Sequence, residues 1–299
     1  MSEFVIMTRG LRRVFEGRPA VDGLNLRVAS GSIFGFLGRN GAGKTTTIRL
    51  LMGFLKPSDG EVRLFGEAVQ GPDSGAAARR RIGFVSENKH LYPYMTVQQT
   101  IRFTRPFFPG WRDDLERRYL EMFELPRERK VSALSKGMRT SLMLLLAMSH
   151  GAELLILDEP TEGLDPTITE AMLKELVALT AAEGTTIFFS SHQLAEVEQI
   201  ADHVAIIDRG RAVVVGALDD LKAQYQRLRI VFQRAPAGVD WGDGAEHVRQ
   251  DGRTVTILAS RNVDAMVERA RSLSTVSVER YPVSLKELFL ESVGGKICC

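Results

Sequence analysis

The residues best suited to chemistry in this chain are Gly38, Arg39, Asn40, Gly41, Ala42, Gly43, Lys44 and Thr45. They fit G-x-x-x-x-G-K-[ST], in which glycines let the backbone curl until successive N–H groups point inward at phosphate oxygens. The lysine of such a loop reaches the β- and γ-phosphates, and Thr45 stands where a hydroxyl ligates magnesium. The pattern carries this meaning only between a strand and a helix. Here the apolar run Ile33-Phe34-Gly35-Phe36-Leu37 precedes it, and the helical pattern Thr46-Thr47-Ile48-Arg49-Leu50-Leu51-Met52 follows it. The start of that helix adds the positive end of its dipole to the same cradle. The stretch reads as a nucleotide site.

A second constellation is the run Leu154-Leu155-Ile156-Leu157 ending in Asp158-Glu159. Alone, two acids after a strand are simply a strand reaching solvent. Beside a phosphate loop, an acid at the end of a buried parallel strand can hold magnesium, and the next acid can polarise an attacking water. Phosphoryl transfer needs the cradle, the metal and the positioned water together. Glu87 follows the strand pattern 82–85, and His192 follows 187–190. Taken singly, His192 reads as a surface residue beside Ser191, a natural N-cap for a helix over 193–200. In an open parallel sheet, however, ligands bind beyond the carboxyl ends of the strands. Glu87, Asp158 and His192 all fall at such ends.

The elements that must position these residues alternate. Strand patterns occupy 4–8 and 24–28, joined by a turn-rich piece around Gly17-Arg18-Pro19 that contains Phe15. The helix after Lys44 stops near Gly53, and Pro57-Ser58-Asp59-Gly60 turns into a strand over 61–65. From 88 to 150 the pattern is helical, with helices over 97–108, 113–123 and 140–148. Strands return at 154–157, 186–190, 204–207 and 211–215, with helices over 168–179 and 194–200 between them. This is an α/β chain: a mostly parallel sheet with an antiparallel part, and a helical subdomain inserted at about 88–150. Residues 1–218 form one domain and 219–299 a second, small α+β domain. The second unit holds helix 219–226, strand 228–232, a hairpin turning at Asp251-Gly252, helix 262–272, strand 275–279 and helix 284–292.

A net charge of +2 over 299 residues supplies no basic face for nucleic acid, and Arg79-Arg80-Arg81 reads as a solvated helix end. The two cysteines, Cys298 and Cys299, are adjacent at the end of the chain and provide no disulfide framework. The first residues lack a signal-peptide pattern. The longest apolar run, 142–148, falls far short of the ~20 residues a membrane span needs. The expectation is a cytoplasmic protein; another chain supplies any membrane crossing.

In the order and spacing of these motifs, residues 4–218 resemble the ATP-binding subunit of an ATP-binding-cassette (ABC) transporter. The resemblance implies a P-loop NTPase core with a RecA-like sheet, ATP and Mg2+ as cofactors, and ATP hydrolysis as the activity. It implies that Phe15, where tyrosine is more usual, stacks on adenine, and that Gly38 to Thr46 hold the phosphates. Thr45, Glu87 and Asp158 become the magnesium ligands, Glu159 the catalytic base, His192 the switch histidine, and Gly163-Leu164-Asp165 the D-loop. Leu134-Ser135-Lys136-Gly137-Met138 occupies the signature position, usually L-S-G-G-Q. The resemblance implies that Ser135 and Gly137 touch the γ-phosphate on the opposite subunit, while Lys136 either adds a donor there or points to solvent. Glu87 stands where the family usually has glutamine. The implied partners are a transmembrane permease and a second copy in a head-to-tail ATP sandwich, which places the chain on the inner face of the cell membrane.

Tyr92-Pro93-Tyr94-Met95-Thr96-Val97, the Leu134-Ser135-Lys136-Gly137-Met138 signature and the stretch 284–290 are similar to bacterial exporter subunits for antibiotics, antimicrobial peptides or lipid-linked compounds. DNA-repair relatives carry a long coiled coil and translation-factor relatives a second cassette, and this chain has neither. Asn88-Lys89-His90-Leu91 lacks the aspartate of a guanine-reading N-K-x-D. The alternative left open is a soluble ABC-type ATPase that regulates rather than transports.

Overall fold

Strand β1 (Phe4–Phe15) folds back onto β2 (Arg18–Ala29) as a hairpin whose Cα partners run from Phe4↔Ala29 to Phe15↔Arg18. Both turn residues, Glu16 and Gly17, have positive φ (47° and 78°), the geometry that matches the right-handed twist of paired strands. The pairing therefore extends through polar residues well beyond the alternating segments 4–8 and 24–28. Phe15 ends a strand instead of lying in a loop. This computed structural model describes residues 3–88, 90–236 and 238–294; Cys298, Cys299 and Lys89 lie outside the described residues.

Next come β3 (Ile33–Gly38), α1 (Lys44–Leu51), β4 (Asp59–Leu64), β5 (Glu67–Ala68), the short α2 (Ala76–Arg79) and β6 (Ile82–Val85). The helical insertion contains α3 (Val97–Thr104), α4 (Asp113–Met122) and α5 (Lys136–Met148). The remainder of the first unit is β7 (Leu154–Asp158), α6 (Pro166–Glu183), β8 (Thr186–Ser191), α7 (Leu194–Ile200), β9 (His203–Asp208) and β10 (Arg211–Ala217). Strands β2-β1-β4-β5 form an antiparallel sheet, and β10-β9-β3-β8-β7-β6 a second one in which β9, β3, β8, β7 and β6 pair in parallel. Strands β3, β7 and β8 are buried along their whole length. This is why they read as unbroken apolar runs: both faces of a parallel sheet are covered.

Among the helix boundaries that differ from the sequence expectation, two have a clear local cause. The first helix of the insertion opens with a capping box between Thr96 and Gln99, but ends at Thr104. Pro106 then gives a 3-10 turn over Arg105–Phe107, because proline has no N–H to donate to the carbonyl four residues back. Helix α5 begins at Lys136, four residues before the expected 140, because Ser135 caps it by accepting the Met138 N–H at 3.1 Å.

The chain divides into two compact units, Met1–Val215 and Gly216–Cys299. The second contains α8 (Leu218–Gln224), β11 (Gln226–Phe232), β12 (Ala245–Asp251), β13 (Thr254–Ala259), α9 (Val263–Ser272), β14 (Thr275–Pro282) and α10 (Leu285–Gly294). Its sheet, β12-β13-β11-β14, is antiparallel and closes the expected hairpin at Asp251↔Thr254. Leu228, Ile230, Phe232, Trp241 and Ile257 pack with Met266 and Ala270 of α9 in a core of its own. Among the described residues no helix is long and apolar enough to cross a membrane.

Candidate nucleotide and metal site

The phosphate loop leaves β3 at Gly38 and enters α1 at Lys44. Gly41 and Gly43 adopt φ of 82° and 108°, and a Cβ on Gly43 would collide with the Ala20 carbonyl. A Cβ on Gly38 would lie 2.8 Å from Ile207. Glycine is required at both places, for conformation and for close approach. The turn between β9 and β10 braces the loop from outside. Gly210 N donates to the Ala42 carbonyl (2.9 Å), and Asp22 N donates to the Gly210 carbonyl (2.9 Å). Arg211 closes the brace with a 2.6 Å hydrogen bond to the Asp22 carboxylate. That bond, with the charges of Arg211 and Arg12, holds the Asp22 carboxyl below its ordinary value.

Lys44 is buried. Its Nζ donates to the Gly38 carbonyl at 2.8 Å and lies 3.2 Å from Glu159 Oε1. The other oxygen of Glu159 lies 2.7 Å from His192 Nδ1. Glu159 has φ of 51°, a left-handed conformation that costs a non-glycine residue strain and clusters at functional sites. Ser190 secures both acids of the pair: its Oγ donates to Asp158 Oδ1 (2.6 Å) and accepts the Glu159 N–H (3.1 Å). On the near side, Thr45 Oγ1 donates to Glu87 Oε2 at 3.1 Å. Burial pushes the Asp158 carboxyl up from its ordinary value; hydrogen bonds from Ser190 and Thr45 oppose this, while the negative charges of Glu87 and Glu159 reinforce it.

These groups surround a cleft of about 330 Å³, lined by Arg39, Asn40, Gly41, Gly43, Lys44, Thr45 and Thr46, with Ala20, Glu87 and Glu159 at its margins. Gly38 and Ala42 stand behind the lining, where they hold Lys44 and Gly210. Asp158 faces an adjoining cavity of about 220 Å³ that also touches Thr45 and Glu87. Among the described residues no cluster of three His, Cys, Asp or Glu side chains forms a ready-made metal cage. A hydroxyl and two carboxylates meeting at Thr45 are nevertheless a hard oxygen set that fits magnesium, which keeps waters and takes its remaining ligands from phosphates.

Besides Gly38, Ala42, Asp158 and His192, the expected site residues Phe15, Ser135 and Gly137 are absent from this cleft's lining. Phe15, at the end of β1, is 41% exposed, with the Arg13 guanidinium 4.6 Å from its ring centre. Ser135 and Gly137 start α5, and a Cβ on Gly137 would collide with the Gly163 carbonyl. Lys136, expected either at a phosphate or in solvent, is ion-paired with Glu162 at 2.5 Å. The supporting residues Ala20, Asp22, Ser190, Gly210 and Arg211 carry no motif signal. They come from β2, β8, the turn at 209–210 and the start of β10, and only the folded chain brings them to the loop.

The sequence profile described as ABC transporter matches residues 21–162. The bacitracin transport ATP-binding protein BcrA of Bacillus licheniformis is 38% identical over 302 residues, covering 97% of this chain and 98% of the relative. The chain belongs to the ABC transporter ATP-binding proteins. As a member of that family it is the ATP-binding, ATP-hydrolysing subunit of a transporter. The Nod factor export ATP-binding protein I of Ralstonia nicotianae is 35% identical and covers 98% of this chain and 95% of its own. Among solved structures, the ATP-binding subunit of an ABC transporter superposes with a TM-score of 0.67 at 28% identity, over 74% of this chain and 92% of that one. A dimeric ATP-binding cassette with ADP and Pi, in a post-hydrolysis state, shares the fold at TM-score 0.63 and 21% identity, over 71% of this chain and 98% of that one.

Proposed function

We propose that this ABC subunit powers an exporter of antibiotics, peptides or lipid-like compounds by closing, with a second copy, around two ATP molecules. One observation carries the dimer. The cleft holding the phosphate loop, Glu87 and Glu159 has neither Ser135 nor Gly137 in its lining, so each protomer offers half of a site at two separate places. A two-fold axis makes such halves complementary. The capped start of α5 then aims its positive end at the partner's γ-phosphate. Relatives named for bacitracin transport and Nod factor export support the export direction.

In this reading Lys44 exchanges its contact with Glu159 for the β- and γ-phosphates when ATP enters. Glu159 is then free to orient and deprotonate the attacking water, held by His192 at its other oxygen. Thr45, Asp158 and Glu87 would hold Mg2+, which would supply positive charge against the phosphates. Phe15 supplies a flat face for adenine. The mutually packed and exposed Tyr92, Tyr94, Phe103 and Phe107 support a docking face for a transmembrane permease, which would hold the subunit at the inner face of the membrane. Residues 1–218 act as the cassette, with 88–150 its helical subdomain, and 219–299 as a dimerisation or regulatory domain.

The test is Glu159→Gln beside the wild type, with ATP turnover and solution mass measured with and without ATP and Mg2+. The expected result is lost turnover, retained ATP binding and an ATP-dependent dimer. A variant that stays monomeric and still turns over ATP overturns the proposal.

A further inference from the structure

Helix α5 starts with a lysine and carries no acidic residue in its first turn. Cations are disfavoured there, because the unpaired N–H groups already bear partial positive charge. The compensating charge comes from outside the helix: Lys136 Nζ donates to Glu162 Oε1. Glu162 belongs to the segment 159–165 between β7 and α6, three residues beyond Glu159. That segment is tightly wound, with Glu162 N donating to the Glu159 carbonyl (3.3 Å) and Leu164 N to the Thr161 carbonyl (3.1 Å). The same turn of α5 holds it twice more. Thr140 Oγ1 donates to the Glu162 carbonyl at 3.1 Å, and Gly137 packs so closely on Gly163 that a Cβ would not fit. At the other end Glu159 is kept in left-handed backbone, a state that persists only where surrounding contacts over-determine it.

We propose that Lys136 and Glu162 are positioning residues for ATP hydrolysis: their ion pair fastens segment 159–165, and through it Glu159, to the first turn of α5. The inference rests on Glu159 as the base, the reading given above. Lys136 is 61% exposed and Glu162 37%. Such a pair adds little to global stability and is open to screening by salt. Its effect lies in where the segment sits, so it separates from folding in experiment.

The test is steady-state ATP turnover of the full chain for Lys136→Met, Glu162→Gln and the reversed pair Lys136→Glu with Glu162→Lys, at about 0.1 M and about 1 M salt. Glu159→Gln and the Tm of every variant are measured in parallel. Each single substitution lowers kcat about threefold, leaves KM for ATP and Tm unchanged, and the reversed pair recovers most of the loss. High salt brings the wild type towards the single variants and does not move them further. Single variants that turn over like the wild type overturn the proposal, as does a kcat loss that follows Tm and is not recovered by reversal. If Glu159→Gln is inactive while the singles are normal, this inference alone falls. If Glu159→Gln keeps its turnover, the assignment of Glu159 falls and takes this inference with it.

Discussion

The Lys44 ammonium and the Glu159 carboxylate face each other at 3.2 Å, with side chains only 7% and 9% exposed. The two groups assigned to phosphate and to water in the proposed mechanism neutralise one another across the cleft. Burying either charge alone is costly, and pairing them offsets that cost. Each partner spares the other the larger cost of standing uncompensated in the interior, and in the proposed mechanism an incoming phosphate takes the place of the carboxylate at Lys44.

Gly43→Ala tests the cradle itself. The substitution forces a side chain into a φ of 108° and against the Ala20 carbonyl. It is expected to destabilise the protein by about 2 kcal/mol or more and to abolish ATP binding. Urea unfolding and a fluorescent-nucleotide titration check both.

Ser190→Ala removes the hydroxyl shared by Asp158 and the Glu159 N–H. Leaving buried polar groups short of a partner costs about 1–3 kcal/mol. Turnover is expected to fall more than ATP affinity, because the lost contacts position the acids and not the phosphate loop. Turnover unchanged in Ser190→Ala removes this role from Ser190.

Glu87→Gln addresses the crowded negative charge beside Thr45. Glu87 helps burial push Asp158 upward, so neutralising it shifts that carboxyl back towards its ordinary value. With Mg2+ chelated, ATP is expected to bind about threefold tighter to the variant, because one repulsive charge is gone. The Mg2+ concentration for half-maximal turnover is expected to rise. Nucleotide titrations with and without Mg2+ measure both directions.

Asp22→Asn concerns the brace behind the loop. The Asp22 carboxyl is held below 3.8 by Arg211. A lowered folded-state value contributes stability that is present above 3.8 and lost as pH falls through the lowered value. The wild type is expected to lose Tm more steeply than Asp22→Asn on that acid side, while the variant starts lower at neutral pH. Parallel slopes in thermal melts across this range exclude the contribution.

The local chemistry was legible in the sequence. The glycine spacing before Lys44, the apolar run into Asp158-Glu159 and the strand-helix alternation are encoded within a few residues, because backbone conformation and burial of a single element depend mainly on near neighbours. The same locality explains the boundary differences. Capping by Ser135 and interruption by Pro106 are short-range effects that apolar periodicity does not register, and the β1–β2 hairpin runs on through polar residues because backbone pairing is indifferent to side chain.

Only the tertiary structure decided which distant groups meet. Lys44 and Glu159 come together because β3 and β7 flank β8 in one parallel sheet, which brings their carboxyl ends to one edge. The Gly210 turn reaches Ala42 because β9 lies beside β3. Lys136 finds Glu162 because α5 packs against the segment after β7. No sequence spacing specifies these distances, since they depend on strand order and helix packing. The sequence by itself determined what kind of groups this protein holds for phosphate chemistry; the fold determined which of them touch.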